Sequence, residues 1–458
     1  MVNTMVSREF NTARELKHIS TDSANLSLVV VFYLISIVIP VSFNIGGLNI
    51  TPVRLYLMPV IVYLVWGLLT GKYGKFLPVD VLFFCHFFWI IVALGVNNPS
   101  KAISQFGSVG VEFLGAYLIG RILVQNAETF AKLSRLIVLL ILFTVPFAMI
   151  EAFTGRSLLI DLFKTVPGVN AVSYAVSEAR FGLNRAQVLF DHPIHYGLFC
   201  SIAMSLAFVA LKDHTSPTKR YVSSSVVMIG GFFSLSSGAL LAIVLQLFLV
   251  VWATLFDKIR WRWWLLFGLM CFAYILVDIL SNRSPVLAVL SRLAFSEHNL
   301  YIRTFIFDYG MDNVLGNPIF GIGLNDWARP HWLPPSIDNF WLVMAVRYGI
   351  TGFLFLAAGY IYGLVKIMAR DFDADRSLFN FRRAWVFTFI GLSFTLATVH
   401  VWTSIYSFVF FMFGAGMWLI TAAPERDKTA QASDRIGSER KSLPYTRFPV
   451  TRDNRITS

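Results

Sequence analysis

The chain alternates long apolar runs with short polar segments that hold most of its charge. Each run has about 18 residues or more, and a helix of roughly 20 residues crosses the ~30 Å hydrocarbon core of a bilayer. The pattern therefore predicts an all-α, polytopic bundle of about 12 membrane-spanning helices. The predicted spans lie near residues 26–43, 52–70, 78–95, 107–124, 134–154, 193–211, 220–236, 238–256, 263–281, 339–367, 384–400 and 402–421.

Composition supports the same class. Hydrophobic residues make up 56% of the chain and charged residues 14%, whereas soluble domains carry about 25% charged residues. A transmembrane β-barrel is not expected, because short alternating segments do not dominate. The cysteines Cys85, Cys200 and Cys271 fall inside predicted spans, so no disulfide is expected. The polar N-terminal segment lacks a cleavage site, which indicates that the first span is an uncleaved anchor.

The distribution of lysine and arginine predicts how the chain crosses the membrane. Basic residues gather before the first span and after every second span, which places both termini in the cytoplasm. Two long loops, about 155–192 and 282–338, then lie on the outer side, the second between the ninth and tenth spans. Residues 1–422 form one membrane-embedded domain, and 423–458 form a disordered cytoplasmic tail. The net charge of +12 suits anionic lipids as partners, and no basic soluble domain indicates nucleic-acid binding.

Both long loops carry arginine on the side where positive charge is normally avoided. The first contains Arg180 and Arg185, and the second contains Arg303 but no lysine. Arginine without lysine indicates a need for the planar guanidinium, which binds phosphate through two parallel hydrogen bonds. These loops are therefore predicted to bind phosphate or pyrophosphate. The alternative is ordinary salt bridges with the acidic loop residues Asp191, Glu297, Asp308, Asp312 and Asp326.

The end of the first loop predicts an anion site beside a helix start. Pro193 suits the first position of the sixth span, with Asp191 or His192 as its cap. The free N–H groups of that helix, together with the loop arginines, His192 and His195, would attract an anion. A polar cap at the level of the lipid headgroups is the simpler alternative. A metal site is not predicted, because the His-x-x-His pair has no third or fourth ligand at a diagnostic spacing.

The second loop and the start of the tenth span contain the best candidates for proton transfer and charge stabilisation. Short amphipathic helices are predicted over 286–296 and 299–315. His331 and Asp338 are the titratable groups best placed to take a proton. Arg347 lies about two turns into the span, and an arginine at that depth is a functional candidate that could also snorkel outward. The tryptophans nearby fit an interfacial aromatic belt or a platform for sugars.

The order of these motifs resembles the signature region of the O-antigen ligase and polymerase family of bacterial envelope glycosyltransferases. The resemblance covers roughly 180–352 and rests on Arg303, the Asn-Pro-Ile-Phe-Gly-Ile-Gly segment at 317–323, and the overall topology. Asp338-Asn339 stands where many ligases of the family have His-Asn, and Arg347 stands where many have Glu. These departures favour the branch that polymerises exopolysaccharides.

The resemblance implies a chemistry. Such enzymes transfer a glycan from polyprenyl pyrophosphate at the periplasmic face of the bacterial inner membrane, without a cofactor or a metal. An acceptor hydroxyl attacks the anomeric carbon, and the lipid pyrophosphate leaves. Arginines would stabilise the leaving group, and a carboxylate or imidazole would act as base. The predicted catalytic residues are Asp338, His331 and Arg303, and the predicted pyrophosphate- or substrate-binding residues are Arg180, Arg185, His192, His195, Arg303 and Arg347.

Several functions fit this resemblance to different degrees. The leading prediction is polymerisation of lipid-linked repeat units into an exopolysaccharide or O-antigen, with a flippase and a chain-length regulator as candidate protein partners. Ligation of a finished glycan to a lipid A core is the alternative of the same class. A lipid-linked sugar flippase is an alternative of another class, although transporters usually place their polar site near the bilayer midplane. A non-catalytic assembly scaffold would not require ordered arginines.

Overall fold

The computed structural model describes residues 25–45, 48–175, 178–280 and 297–423. The predicted helix over 286–296 and nearly all of the predicted tail lie outside these ranges. Helices dominate the described residues, as the all-α prediction requires. The N-terminal elements are α1 (Leu28–Val38), β1 (Val41–Ile45), β2 (Leu48–Ile50), α2 (Pro52–Leu69), α3 (Pro78–Asn97), α4 (Pro99–Leu123), α5 (Ala127–Thr154), α6 (Leu158–Lys164) and β3 (Asn170–Ala171).

The C-terminal elements carry the second long loop between α10 and α12. A short 3₁₀ turn, Met417–Ile420, follows the last helix. These elements are α7 (Pro193–Ala210), α8 (Pro217–Phe233), α9 (Ser237–Leu255), α10 (Arg262–Leu280), α11 (Glu297–Gly316), α12 (Phe340–Met368), α13 (Arg376–Leu396) and α14 (Thr403–Gly414). Helix α11 confirms the helix predicted over 299–315.

Nine helices of the described residues are long and apolar enough to cross a membrane, so the chain is a membrane protein. Three further predicted spans correspond to α1, α8 and α13. Of these, α1 has only 11 residues and α8 has 17, while α13 begins in a basic segment that lowers its hydropathy. The polytopic bundle is thus confirmed, and the number of 12 crossings stays a prediction.

The prediction for the first span was wrong at its C-terminal end. The helix ends at Val38 rather than near residue 43, because Pro40 follows and proline disfavours helix at the residue before it. The next residues form β1, the central strand of a small antiparallel sheet in the order β2-β1-β3. In this sheet Phe43 faces Ile50, and Ser42 faces Asn170. The sheet joins the start of the bundle to the first long loop.

The bundle core depends on close approach of helices through small residues. Helices α4 and α14 cross at Gly120 and Gly414, where an added Cβ would lie within 2.9 Å of the opposing backbone. Small residues at a crossing let two helices pack backbone to backbone, which is a common source of association in membranes. Helix α12 packs most extensively on α3. These pairs form the rigid frame that holds the loops at one end of the bundle.

Helix α12 is broken at Gly349, whose φ of 71° and ψ of 176° are accessible almost only to glycine. The loop after α11 fills the break. Ile322 N–H donates to the carbonyl of Val346 at 2.8 Å, and Gly323 N–H donates to that of Arg347 at 3.0 Å. In return, Ile350 N–H donates to the carbonyl of Pro318 at 2.7 Å. The 317–323 motif therefore serves to satisfy backbone groups that the break leaves open.

Helix α3 contacts the backbone carbonyls on both sides of the break. Trp89 Nε1–H donates to the carbonyl of Tyr348 at 2.9 Å, and His86 Nδ1 lies 2.8 Å from the carbonyl oxygen of Gly352. The indole of Trp89 also stacks on Phe320 with ring centroids 5.6 Å apart. The loop after α11 and helix α3 thus both bind the backbone around Gly349, and these contacts fix the orientation of the segment.

Candidate functional site

A cavity of about 850 Å³ lies at the end of the bundle where α7, α9 and α12 begin. Its walls come from the first long loop, from α11 and the loop that follows it, and from the link between α13 and α14. Charged and aromatic side chains line it beside apolar residues. They are Arg180, Arg185, His192, Arg303, Asp326, Trp327, Asp338, Arg347, His400 and Trp402.

The cavity brings together six of the predicted site residues, namely Arg180, Arg185, His192, Arg303, Asp338 and Arg347. These come from four separate segments of the sequence. His331 is exposed on the surface and does not line the cavity. His195 is fully buried behind the wall rather than in it. The catalytic role of His331 and the binding role of His195 stay predictions that their positions do not support.

A tight turn directs Arg180 into the cavity. Arg180 and Leu183 exchange two backbone hydrogen bonds of 2.9 Å each. Between them Phe181 and Gly182 have φ values of 55° and 74°, the pattern of a two-residue hairpin turn of type I′. The Arg180 guanidinium donates to the carbonyl of Leu235 at 2.6 Å. This contact fixes the turn against the segment that precedes α9.

Arg185 is positioned by a buried carboxylate that binds the backbone beside it. Glu151, near the end of α5, accepts hydrogen bonds from Gln187 N–H at 3.0 Å and Val188 N–H at 2.9 Å. Ser157 Oγ–H donates to the carbonyl of Val188 at 2.7 Å. The backbone is therefore anchored where Arg185 enters the cavity. Burial, and to a smaller extent the neighbouring Arg180, lower the pKa of Arg185 to about 10, so the group stays charged at pH 7.

Helix α7 begins at Pro193 with His192 as its cap, which confirms the sequence prediction. The Nδ1 atom of His192 accepts a hydrogen bond from Ile194 N–H at 3.2 Å. Burial and the two arginines of the same loop lower the pKa of His192 to about 4. His192 is thus neutral at pH 7, and the positive charge of this wall comes from arginine alone. The described residues contain no cluster of three or more potential metal ligands.

Arg303 and Asp338 both line the wall formed by α11 and the start of α12. Burial lowers the pKa of Arg303 and raises that of Asp338, and each group opposes the shift of the other. Asp338 directly precedes Asn339, whose side chain caps α12 by accepting from Leu342 N–H at 3.1 Å. The carboxyl group is therefore fixed at the mouth of the helix.

Three of the cavity arginines lie beyond ion-pair distance of every carboxylate of the described residues, although Asp338 is close enough to act on the charge of Arg303. Among the described residues, no ion pair within 4.0 Å includes Arg185, Arg303 or Arg347. The loop carboxylate that does pair is Asp326, which binds Arg329 at 2.5 Å. The salt-bridge alternative, which was raised for the arginines of the two long loops, therefore applies to Arg329 and not to Arg185 or Arg303. Partly buried cations that form no ion pair attract anions.

Sequence reasoning missed His400 and Trp402. They lie in the short link between α13 and α14, which the hydropathy pattern reduced to a boundary between two spans. Burial and the nearby Arg347 lower the pKa of His400 to about 3, so it is neutral at pH 7. The sequence feature that could have revealed them is a histidine and a tryptophan between two apolar runs, at the expected position of the membrane–water interface.

Comparison with known families identifies the central part of the chain. Residues 222–357 match the family model described as O-antigen ligase. The matched segment extends from α8 into α12 and includes Arg303, Asp338 and Arg347. No curated protein sequence gives a significant match to the chain.

Proposed function

Because this chain belongs to the O-antigen ligase and polymerase family, we propose that it polymerises glycan repeat units carried on polyprenyl pyrophosphate. The product would be a surface polysaccharide, formed at the periplasmic face of the bacterial inner membrane. The family match supports a polysaccharide ligase- or polymerase-type function in general. The observation that carries the finer proposal is the cavity, in which four arginines from separate segments line the same space as only two aspartates.

The cavity has an excess of positive charge, which the negative charge of a lipid pyrophosphate would balance. The lining contains four arginines and two aspartates, and one of the aspartates, Asp326, is engaged by Arg329 outside the group. Guanidinium groups bind phosphate oxygens through two parallel hydrogen bonds. Their attraction for an anion increases where protein replaces water. Arg185 and Arg303 are the best placed of the group, because both are partly buried and lack a carboxylate within 4.0 Å among the described residues.

The proposed reaction needs one proton acceptor and one stabilised leaving group. The oxygen of the acceptor hydroxyl forms a bond to the anomeric carbon of the donor sugar. The bond from that carbon to the pyrophosphate oxygen breaks, and its electron pair stays on the leaving pyrophosphate, which the arginines stabilise. The hydroxyl proton passes to the carboxylate of Asp338. Burial raises the pKa of Asp338, which makes the carboxylate a stronger base, and the charge of Arg303 opposes that shift.

Polymerisation is favoured over ligation by the residues that depart from the ligase pattern. Asp338 precedes Asn339 where many ligases have histidine, and Arg347 replaces a glutamate. Compared with those ligases, the arginine at position 347 adds a positive charge to the cavity and removes a carboxylate from it. A flippase is less well supported, because the polar side chains gather at one end of the bundle rather than midway along its helices.

The glycan profile of a deletion strain tests the proposal. Loss of a polymerase should leave single lipid-linked repeat units and no long chains. Loss of a ligase should instead leave long chains attached to polyprenyl pyrophosphate, and this result would replace the polymerase proposal with the ligase alternative. A strain that accumulates repeat units on the cytoplasmic face would support the flippase.

A further inference from the structure

The link between α13 and α14 forms a wall of the cavity that the reaction described above does not use. It contributes Val399, His400 and Trp402 to the lining. The link is anchored at its start by Phe340 N–H, which donates to the carbonyl of Val399 at 3.0 Å. Since Phe340 is the first residue of α12, the link is attached to the same helix start that carries Asp338.

The other end of the link is held in a strained conformation. Thr403 has a φ of 46°, which is unfavourable for a β-branched residue. Its hydroxyl donates to Asp191 Oδ2 at 2.5 Å, and this bond joins the link to the residue that precedes the cap of α7. Strained backbone persists where its surroundings fix it, and such positions cluster at functional sites. Here the strain fixes the preceding residue, Trp402.

Trp402 presents part of its indole to the cavity. The ring packs on His195, with centroids 4.1 Å apart, and the rings of His192 and His400 are tilted against it with centroids 6.0 Å away. The side chain is nevertheless 37% exposed, and it lines the cavity. A rigid, partly open aromatic surface beside polar groups is the usual form of a site that holds a ring.

His400 stands beside this surface with an unsatisfied ring nitrogen. Its Nδ1 is buried and has no hydrogen-bond partner among the described residues, whereas buried polar atoms are normally paired. The ring is held parallel to Phe340, with centroids 6.3 Å apart and an angle of 18° between planes. Its neutral state leaves one nitrogen as an acceptor and the other as a donor. Such a group can hydrogen-bond a sugar hydroxyl without repelling a nearby arginine.

We propose that His400 and Trp402 form the subsite for the acceptor sugar. The apolar C–H face of a pyranose would stack on Trp402, and one of its hydroxyls would hydrogen-bond to the His400 imidazole. This inference rests on the glycosyl transfer proposed above. The bonds that form and break in the transfer are unchanged, and Asp338 still takes the hydroxyl proton. The acceptor sugar would lie on the wall next to that carboxylate.

The test separates binding of the acceptor from binding of the lipid pyrophosphate. The full-length protein is purified into nanodiscs, and its KM is measured for lipid-linked repeat units isolated from a strain that lacks the gene. Its Kd is measured for undecaprenyl pyrophosphate, which carries no sugar. The variants are Trp402→Ala, Trp402→Phe and His400→Gln. The matched control is Trp261→Phe, at a tryptophan that is 60% exposed and lies outside the cavity.

Trp402→Ala and His400→Gln are expected to raise KM about tenfold, and Trp402→Phe by less, since the smaller ring keeps part of the stacking surface. The Kd for undecaprenyl pyrophosphate should stay within twofold of the wild-type value. If Trp402→Ala does not reach the membrane, Trp402→Phe and His400→Gln provide the test of the subsite. An unchanged KM in both, or a parallel rise in Kd, would overturn the subsite. A wild type that binds no undecaprenyl pyrophosphate would instead overturn the proposed function.

Discussion

The break in α12 makes Gly349→Ala the most informative single change in the chain. The residue has φ 71° and ψ 176°, and an added Cβ would collide with the carbonyl of Ile319 and lie 2.8 Å from that of Pro318. Neither the loop nor the helix can yield without losing the three backbone hydrogen bonds that join them. The strained backbone costs about 1–3 kcal/mol, and each lost bond about 0.5–1.5 kcal/mol. The expected destabilisation is therefore roughly 3–7 kcal/mol.

The effect of Gly349→Ala should appear in both stability and transfer. Its thermal unfolding midpoint, followed in detergent by tryptophan fluorescence, should fall by several degrees. Polysaccharide production should fall further than the amount of protein, because Arg347 and the loop at 322–323 both line the cavity. Gly268→Ala is the matched control, since nothing lies within 4 Å of a Cβ at that helical glycine. A Gly349→Ala protein with normal midpoint and activity would refute this account of the break.

Other changes probe the charges and the orientation. Arg303→Lys should lose most activity at normal protein levels, because a point charge cannot make two parallel phosphate contacts; full polysaccharide production would remove Arg303 from the site. Asp338→Asn should block transfer while the Kd for undecaprenyl pyrophosphate stays near the wild-type value, and an active variant would exclude Asp338 as the base. Cysteines introduced at Ser336 and Ser377 should be labelled by an impermeant thiol reagent in spheroplasts only at Ser336; the reverse pattern would invert the topology. Transfer by the purified protein should survive EDTA, and activity restored only by a divalent ion would reopen the histidine pair as ligands.

The sequence predicted the helices well because long apolar runs are a strong and local signal. It also selected the arginines that meet in the cavity, since arginine is unusual on the outer side of a membrane. It could not show the break at Gly349, because the residues on both sides of Arg347 are apolar enough to read as one continuous span. The partners that stabilise the break, such as Ile322 and Trp89, are distant in sequence.

The cavity wall at His400 was missed for a related reason. A link of a few residues between two apolar runs has little weight in a hydropathy pattern, yet this one is fixed by contacts to Asp191 and Phe340. Conversely, His331 attracted attention as a titratable group in a polar loop, and the structure places it on the surface. Local sequence indicates which residues could act, whereas long-range contacts determine which of them face the same space.

Three carboxylates near the cavity are engaged in other contacts, and this affects turnover. Glu151 binds backbone amides, Asp191 binds Thr403, and Asp326 binds Arg329. Little therefore offsets the arginines once the sugar has been transferred. The departing lipid pyrophosphate carries more negative charge than the donor did, so the same groups hold it more tightly. We expect product release to limit the rate, as it does in many enzymes. Accumulated polyprenyl pyrophosphate would then inhibit the enzyme, and its removal from the membrane would set the pace of chain growth.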